Sequence, residues 1–257
     1  MDWSAKQYVK FEDERTRPAR DLLAAVPTRD PRRVVDLGCG PGNTTELLLQ
    51  AFPKAEIIGL DSSPDMVTNA RARLRGISFE VADLTIWRPD PAAPVDIIYS
   101  NAVLQWVPGH ETILPRLLGL LPEGGSLAIQ MPDNLDEPSH VAMREAARQE
   151  PWAARLSHAE DAHTPIGTAA AYYRLLKPLA ARVDVWRTVY HHPLEGIEGI
   201  VEWFKGSRLR SYLGPLDPAG REGFLAAYRE ALAPHYPVDP DGKVLLAFPR
   251  LFIVATR

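Results

Sequence analysis

The residues with the clearest chemical meaning lie in a glycine-rich segment at positions 34–45. Its sequence, VVDLGCGPGNTT, places Asp36 before three glycines at positions 38, 40 and 42. Glycine lets the backbone turn tightly and lets a ligand approach the backbone amides. A helix that follows such a turn directs its free N–H groups toward the same place. The segment therefore predicts a strand, a turn and a helix that bind a nucleotide or an amino-acid carboxylate.

The glycine spacing separates two kinds of nucleotide cofactor. A dinucleotide-binding turn reads G-x-G-x-x-G and needs glycine at position 43, where this chain has Asn43. Asp36 would also repel a pyrophosphate, whereas it could bind a cationic amino group. The string D-L-G-C-G-P-G instead resembles motif I of the class I S-adenosylmethionine-dependent methyltransferases. The resemblance implies that Gly38, Gly40 and Gly42 hold the methionine part of the cofactor, and that Asp36 supports its amino group.

An acid also ends the second predicted strand. Asp61 comes nineteen residues after Gly42, near the spacing at which an acid contacts the ribose hydroxyls of a bound nucleotide. The alternative role is the N-cap of the next helix, but Ser62 or Ser63 can fill that position equally well. We therefore expect Asp61 to bind the ribose.

Further cofactor contacts are implied by the methyltransferase resemblance. Asp83 and Leu84 follow the third strand, where they would contact the adenine, although Asp83 is also a common turn residue. Met66 would pack near the adenine or serve as ordinary core. The backbone of Asn101 would lie along the methionine moiety. The expected cofactor contacts are Tyr8, Asp36, Gly38, Gly40, Gly42, Asn43, Asp61, Ser62, Met66, Asp83, Leu84 and Asn101.

The acceptor side has a different signature, a cationic segment reading WFKGSRLRSY at positions 203–212. Guanidinium groups bind carboxylates through paired hydrogen bonds. Arg208 and Arg210 are two residues apart and would diverge by about 200° on a regular helix, so both face one site only if the helix ends near Gly206. A solvated basic turn is the plainer interpretation. The expected substrate contacts are Arg17, Trp106, Arg208, Arg210 and Tyr212.

Three other strings favour one family. Residues 2–18, the L-Q-W motif at 104–106 and FPRLFIVA at 248–255 resemble the trans-aconitate 2-methyltransferases. The resemblance implies methyl transfer to one carboxylate of a small tricarboxylic acid, giving a monomethyl ester and S-adenosylhomocysteine. Because a carboxylate is already ionised at neutral pH, no general base is expected.

Three alternatives remain open at this point. A malonyl carrier-protein carboxyl methyltransferase, or another small-acid methyltransferase, shares the L-Q-W motif. A nicotinamide-dependent oxidoreductase shares the Rossmann arrangement. A non-catalytic S-adenosylmethionine-binding regulator would keep the cofactor motifs without turnover.

Composition limits the partners of this 257-residue chain. Its formal net charge of −4 gives no reason to expect a nucleic-acid footprint. A single cysteine excludes an internal disulfide and suggests a reducing compartment. No apolar run is long enough for a membrane span, so a cytoplasmic protein is expected. The histidines at 158, 163, 191 and 192 lack a Cys or carboxylate at ligand spacing, so no metal site is expected.

The elements that must position these residues alternate between strands and helices, which indicates an α/β fold. Together with the resemblance they predict one Rossmann-like domain over residues 1–257. Its seven-stranded, mostly parallel sheet would carry an antiparallel edge hairpin. Helical lid segments are expected at about 134–177 and 196–235. An N-terminal helical region, 2–26, would be divided by a second helix starting at Pro18. The expected strands are 32–37, 56–61, 77–81, 95–100, 126–131, 179–192 and 244–256.

Overall fold

A computed structural model describes residues 12–159 and 165–257. Tyr8, one of the expected cofactor contacts, lies outside the described residues. Within them, seven strands form one sheet. The strands are β1 (Arg33–Leu37), β2 (Glu56–Asp61), β3 (Ser78–Val81), β4 (Ile97–Asn101), β5 (Ser126–Pro132), β6 (Arg182–Glu195) and β7 (Lys243–Thr256).

The strand order across the sheet is β3-β2-β1-β4-β5-β7-β6. The first five strands of this order are parallel, whereas β7 runs antiparallel to both β5 and β6. The predicted fold class, with its antiparallel hairpin at one edge, is therefore confirmed. The order reverses between β1 and β4, and ligands of open α/β sheets bind beyond the carboxyl ends of the strands at such a switch point.

The strand bounds shift at two places that affect the site. β4 ends at Asn101, so this residue belongs to the strand and lies opposite Gln130 of β5. β6 extends to Glu195, three residues past the expected end at 192. Its pairing with β7 runs from Arg182 opposite Thr256 to Glu195 opposite Lys243. Pairing with β7 therefore satisfies backbone groups of residues 193–195, which the sequence pattern placed outside the strand.

Helices cover both faces of the sheet and one end of it. The α-helices of the described part of the chain are α1 (Glu12–Ala24), α2 (Asn43–Ala51), α3 (Pro64–Arg73), α4 (His110–Gly119), α5 (Pro138–Ala147), α6 (Ala153–Leu156), α7 (Ala169–Leu176), α8 (Gly196–Lys205), α9 (Leu209–Leu213) and α10 (Pro218–Leu232). None of these helices is long and apolar enough to cross a bilayer.

Pro18 does not start a second helix, as the sequence suggested, but lies inside α1. An internal proline removes one backbone hydrogen bond and costs about 3 kcal/mol in an isolated helix. Ala19 and Leu22 are buried in the same helix, and Leu22 packs with Val34 and Tyr99 of the sheet. We infer that packing onto the sheet offsets the cost of the proline.

Four apolar clusters lie within residues 12–159 and 165–257, and the three larger ones organise the interior. One packs α1 and α2 on the first face of the sheet, around Tyr99 and Phe252. A second packs α4 and α7 on the opposite face, around Ile129 and Ile253. The third, here called the lid cluster, joins α5, α8, α9 and α10 to the ends of β6 and β7 near Phe248. The predicted lid segment 134–177 is therefore divided between two clusters. Its helix α5 packs in the lid cluster, whereas its last helix, α7, packs on the sheet. The assignment of all residues to a single domain stays a prediction.

Candidate active site

The glycine turn between β1 and α2 has the backbone geometry that the sequence predicts. Gly38 has a φ of 81°, and a Cβ built there would lie 2.2 Å from Cγ2 of Val103, so only glycine fits. The amides of Gly38 and Cys39 donate to the carbonyl of Leu60 at 2.7 and 2.9 Å. Gly42, with a φ of 93°, is the N-cap of α2. These bonds place the turn against the end of β2.

Asp36, at the end of β1, is hydrogen-bonded to the helix that follows this turn. Its side chain is fully buried, and Oδ2 accepts a hydrogen bond from the Thr45 hydroxyl of α2 at 2.6 Å. Oδ1 is buried without a hydrogen-bond partner among the described residues. Burial, helped by the charge of Asp61, raises the pKa of Asp36 to about 7, although the Thr45 hydroxyl opposes the shift. A buried acceptor of this kind could receive a cationic amino group.

Asp61 lies at the tip of β2 and holds two backbone segments. Its Oδ2 accepts from the amide of Gly40 at 2.9 Å, and Oδ1 accepts from the amide of Ser63 at 2.9 Å. Ser63 is the N-cap of α3, where its hydroxyl oxygen accepts from the amide of Met66. Asp61 is therefore not the N-cap, and each of its carboxylate oxygens keeps a further acceptor position.

A cleft opens at the carboxyl ends of β1, β2 and β3, with about 410 Å³ of empty space when the open solvent at its mouth is included. Leu37, Leu60, Val103 and Val107 contribute apolar walls to it. Five of the expected cofactor contacts share this cleft, namely Gly38, Asp61, Ser62, Asp83 and Leu84. An apolar cleft with a few convergent polar groups is the usual form of a small-molecule site.

Asp83 has the turn role that the sequence left open, and it also lines the cleft. Its Oδ1 accepts from the amide and the hydroxyl of Thr85, at 2.8 and 2.7 Å, and these bonds lower the pKa of the carboxyl. It is thus a turn aspartate that also lines the cleft. Arg116 of α4 holds the same loop, because its guanidinium donates to the carbonyls of Leu84 and Trp87 at 2.7 and 2.6 Å. No local pattern indicates this contact, because it joins residues about thirty positions apart.

The other expected cofactor residues lie around the turn and the end of β4. Asn43 is the first residue of α2, and Met66 is buried in the first turn of α3. Oδ1 of Asn101 is buried without a hydrogen-bond partner among the residues described. The next residue, Ala102, has a φ of 59° and accepts a hydrogen bond from Nε2 of Gln105 at 2.7 Å. The L-Q-W motif forms the short 3₁₀ turn that follows.

The expected acceptor contacts are spread more widely. α8 ends at Lys205 with Gly206 as C-cap, so the predicted interruption is present. Arg208 is buried with its Cζ 5.7 Å from the centre of the Tyr212 ring, whereas Arg210 is only partly buried.

Tyr212 belongs to the lid cluster, where its ring stacks on Phe224 at 5.5 Å. Trp106 is partly buried at the end of the L-Q-W turn. Arg17 of α1 is exposed, and its Cζ lies 5.1 Å from the centre of the Tyr190 ring.

Two further polar residues, which the sequence did not predict as site residues, lie buried beside the carboxyl end of β5. Arg250 of β7 is 3% exposed, and its Nη1 donates to Oε1 of Gln130 at 3.1 Å. Their only sequence signal is a single Arg or Gln within an otherwise apolar strand. In residues 12–159 and 165–257, no group of three His, Cys, Asp or Glu side chains is arranged to hold a metal ion.

Comparison with known proteins agrees with this geometry. Residues 34–125 match a family model described as a methyltransferase domain. The crystal structure of the YcgJ protein from Bacillus subtilis superposes with a TM-score of 0.61 at 13% identity, covering 94% of this chain and 98% of that one. The sheet order, the glycine turn and the matched region define an S-adenosylmethionine-dependent methyltransferase of class I.

Full-length relatives narrow the assignment. The trans-aconitate 2-methyltransferase of Rhodopseudomonas palustris strain BisB18 is 53% identical, with 100% of this chain and 99% of the relative covered. The enzyme of the same name from Methylobacterium nodulans is 55% identical, with 100% and 98% covered. The chain belongs to the trans-aconitate 2-methyltransferase family.

Proposed function

We propose that this protein transfers the methyl group of S-adenosylmethionine to one carboxylate of trans-aconitate, giving a monomethyl ester and S-adenosylhomocysteine. The observation that carries the proposal is the 53–55% identity to trans-aconitate 2-methyltransferases over the whole chain. It extends across the lid helices as well as the cofactor half. The same relatives support a small polycarboxylic acid as the acceptor.

The cleft supports the cofactor assignment. Asp61 would accept the ribose hydroxyls, since its carboxylate lines the cleft and keeps acceptor positions beyond its two backbone bonds. Asp83 and Leu84, on the loop that Arg116 holds, would contact the adenine. The buried Oδ1 atoms of Asp36 and Asn101 suit the amino group of the methionine part, because a buried acceptor without a partner is costly.

The proposed methyl transfer needs little acid–base catalysis from the protein. Bound S-adenosylmethionine supplies an electrophilic methyl group on a sulfonium. The acceptor carboxylate is ionised at neutral pH, so the side chains need only align it and remove its water. In this proposal Arg208 and Arg17 would hold the carboxylates that do not react. Trp106, Arg210 and Tyr212 would be the further contacts of the acceptor. A strong ion pair on the reacting carboxylate would lower its nucleophilicity.

The proposal is tested by incubating the purified protein with S-adenosylmethionine and trans-aconitate and analysing the acids by mass spectrometry. We expect a product one methylene heavier, with none from citrate or cis-aconitate. A parallel reaction contains malonyl carrier protein. Methylation of that protein alone would replace the proposed acceptor, while absence of any product with cofactor bound would refute the proposed reaction.

A further inference from the structure

A polar layer separates two apolar clusters on the first face of the sheet. On β7, residues 244, 246 and 248 pack in the lid cluster, and residues 252 and 254 pack with α1 and α2. Side chains of a strand alternate between faces, so Arg250 belongs to the same face and lies between the two clusters. A buried guanidinium at this boundary is not required by the packing of either cluster.

The strand register brings other polar groups to this layer. Gln130 of β5 lies opposite Asn101 of β4 and opposite Phe252 of β7. Asn101 is the last residue of β4, at the carboxyl end of the parallel strands, where the cofactor cleft opens. Neighbouring strands are about 4.8 Å apart. Gln130 is therefore about one strand spacing from the position expected to adjoin the methionine moiety, a distance that a small polycarboxylic acid can span.

The Gln130 amide is half satisfied. Its Oε1 accepts from Nη1 of Arg250, which leaves Nε2 as the group directed elsewhere. Nε2 is buried without a hydrogen-bond partner among the described residues. Gln130 itself is 0% exposed. Leaving a buried donor unsatisfied costs about 1–3 kcal/mol, so the arrangement is better explained by an oxygen ligand than by stability.

The surroundings favour an anion. The pKa of His192 is lowered to about 4, chiefly by burial and then by the positive charges of Arg250 and Arg17. The same two charges oppose the rise that burial causes in the pKa of Tyr190. Asp21 accepts from the Tyr190 hydroxyl at 2.6 Å and is the acidic group facing this ring. At neutral pH, His192 is thus uncharged, whereas Arg250 and Arg17 each act on this region with a positive charge. A carboxylate bound beside Arg250 would be stabilised by this positive charge.

We propose that Arg250 and the Nε2 group of Gln130 together bind a carboxylate of the acceptor that is not the one methylated. This inference rests on the proposed function and adds a specificity site to it. The Arg250 guanidinium supplies the positive charge, and Nε2 of Gln130 supplies a second hydrogen-bond donor that points in a different direction. The pair would therefore select acids with more than one carboxylate. The reacting carboxylate would lie nearer Asn101, away from a charge that would lower its nucleophilicity.

Gln130→Glu tests the site with an almost unchanged side-chain shape. The new carboxylate would pair with Arg250 and fill the place of the substrate carboxylate. We expect the affinity of the S-adenosylhomocysteine complex for trans-aconitate, measured by calorimetry, to fall about 30-fold. S-adenosylmethionine affinity should stay within about twofold, and the melting temperature should not fall. Unchanged trans-aconitate affinity in the folded variant would overturn the proposal.

Arg250→Lys is the second variant and carries the test if Gln130→Glu does not fold. Lysine keeps the charge but loses the planar pair of donors. We expect KM for trans-aconitate to rise about tenfold with little change in kcat. Arg187→Lys is the matched control on β6, since Arg187 is exposed and pairs with Asp133. Equal KM values for both lysine variants and the wild type would refute the site.

The binding and turnover measurements separate the two proposals. Wild-type protein that binds trans-aconitate but yields no ester contradicts the proposed reaction and leaves the carboxylate site standing. If the wild-type protein yields the ester and Gln130→Glu is as active and binds trans-aconitate as tightly, the carboxylate site is contradicted. The proposed reaction then still stands. Wild-type protein that neither binds nor esterifies trans-aconitate contradicts both.

Discussion

The amide of Gly40 donates a hydrogen bond to Oδ2 of Asp61 at 2.9 Å, which ties the glycine turn to the tip of β2. The other carboxylate oxygen accepts from Ser63 at the start of α3. One side chain thus fixes the turn and the N-terminus of the next helix before any ligand binds. This preorganisation reduces the entropy that binding would otherwise cost.

Asp61→Asn should weaken S-adenosylmethionine binding about 30-fold, because it removes a charged acceptor and directs an NH₂ group toward a backbone amide. Calorimetric titration of the purified variant measures the effect. Asp90→Asn is the control, since Asp90 accepts from the amide of Ala92 in an exposed turn away from the cleft. Equal affinities of the two variants would mean that Asp61 does not contact the cofactor.

Gly38→Ala and Gly76→Ala separate backbone strain from steric overlap. Both glycines have a φ above 80°, but a Cβ at Gly76 meets nothing within 4 Å, whereas one at Gly38 overlaps Val103. We expect Gly76→Ala to lower the free energy of unfolding by about 1 kcal/mol and Gly38→Ala by about 3 kcal/mol. Urea denaturation gives both values.

A second substitution checks the cause of this difference. Val103→Ala removes both methyl groups that the new Cβ of Gly38→Ala would approach most closely. The double variant should therefore recover part of the lost stability. If the double variant is as unstable as the sum of the two single changes, overlap with Val103 is not the reason that glycine is needed.

Asp36 should give the protein a measurable pH dependence of stability. Its pKa is raised from 3.8 to about 7 in the folded state, chiefly by burial. Between these two values the folded state holds a proton that the unfolded state has lost. The contribution of Asp36 to stability is therefore greatest below about pH 4, falls by at most roughly 1.4 kcal/mol per pH unit up to pH 7, and levels off above it.

The comparison that isolates this residue is wild type against Asp36→Asn, by urea denaturation at several pH values from 4 to 8. Asparagine has a similar shape and does not titrate. The difference in unfolding free energy between the two proteins should decline as pH rises to 7 and then remain constant. A difference that is independent of pH would show that Asp36 is ionised throughout.

Local chemistry made much of the cofactor half predictable. The strand, the glycine turn and Asp61 follow each other within about thirty residues, so spacing alone suggests their meeting. The N-cap role of Ser63 was also one of the two options that the sequence offered. The prediction that Pro18 starts a second helix is wrong, because the helix that contains it is stabilised by packing on the sheet, which a local pattern does not show.

Long-range contacts were not predictable in this way. Gln130 and Arg250 are 120 positions apart and meet only because β7 inserts between β5 and β6 in antiparallel register. Each lies in an apolar strand, where a single polar residue gives no indication of its partner. Arg208 could be selected by composition, but its burial and its place beside Tyr212 depend on how the lid helices pack.

Arg116 should contribute to cofactor binding without touching the cofactor. Its guanidinium donates to the carbonyls of Leu84 and Trp87, and so fixes the loop that forms one side of the cleft. Arg116→Met keeps the aliphatic contacts and removes both bonds. We expect S-adenosylmethionine affinity to fall about tenfold, because the loop must be ordered on binding. The enthalpy and affinity are obtained by calorimetry.

Arg257→Met is the matched control, because Arg257 also donates to two backbone carbonyls. They belong to Gly119 and Leu121 at the end of α4, and neither residue lines the cleft. Both variants lose two bonds of the same kind, so their unfolding free energies should fall by similar amounts. Only Arg116→Met should weaken cofactor binding. An equal loss of affinity in both would indicate general destabilisation, and an unchanged affinity in Arg116→Met would show that the loop holds its position without this anchor.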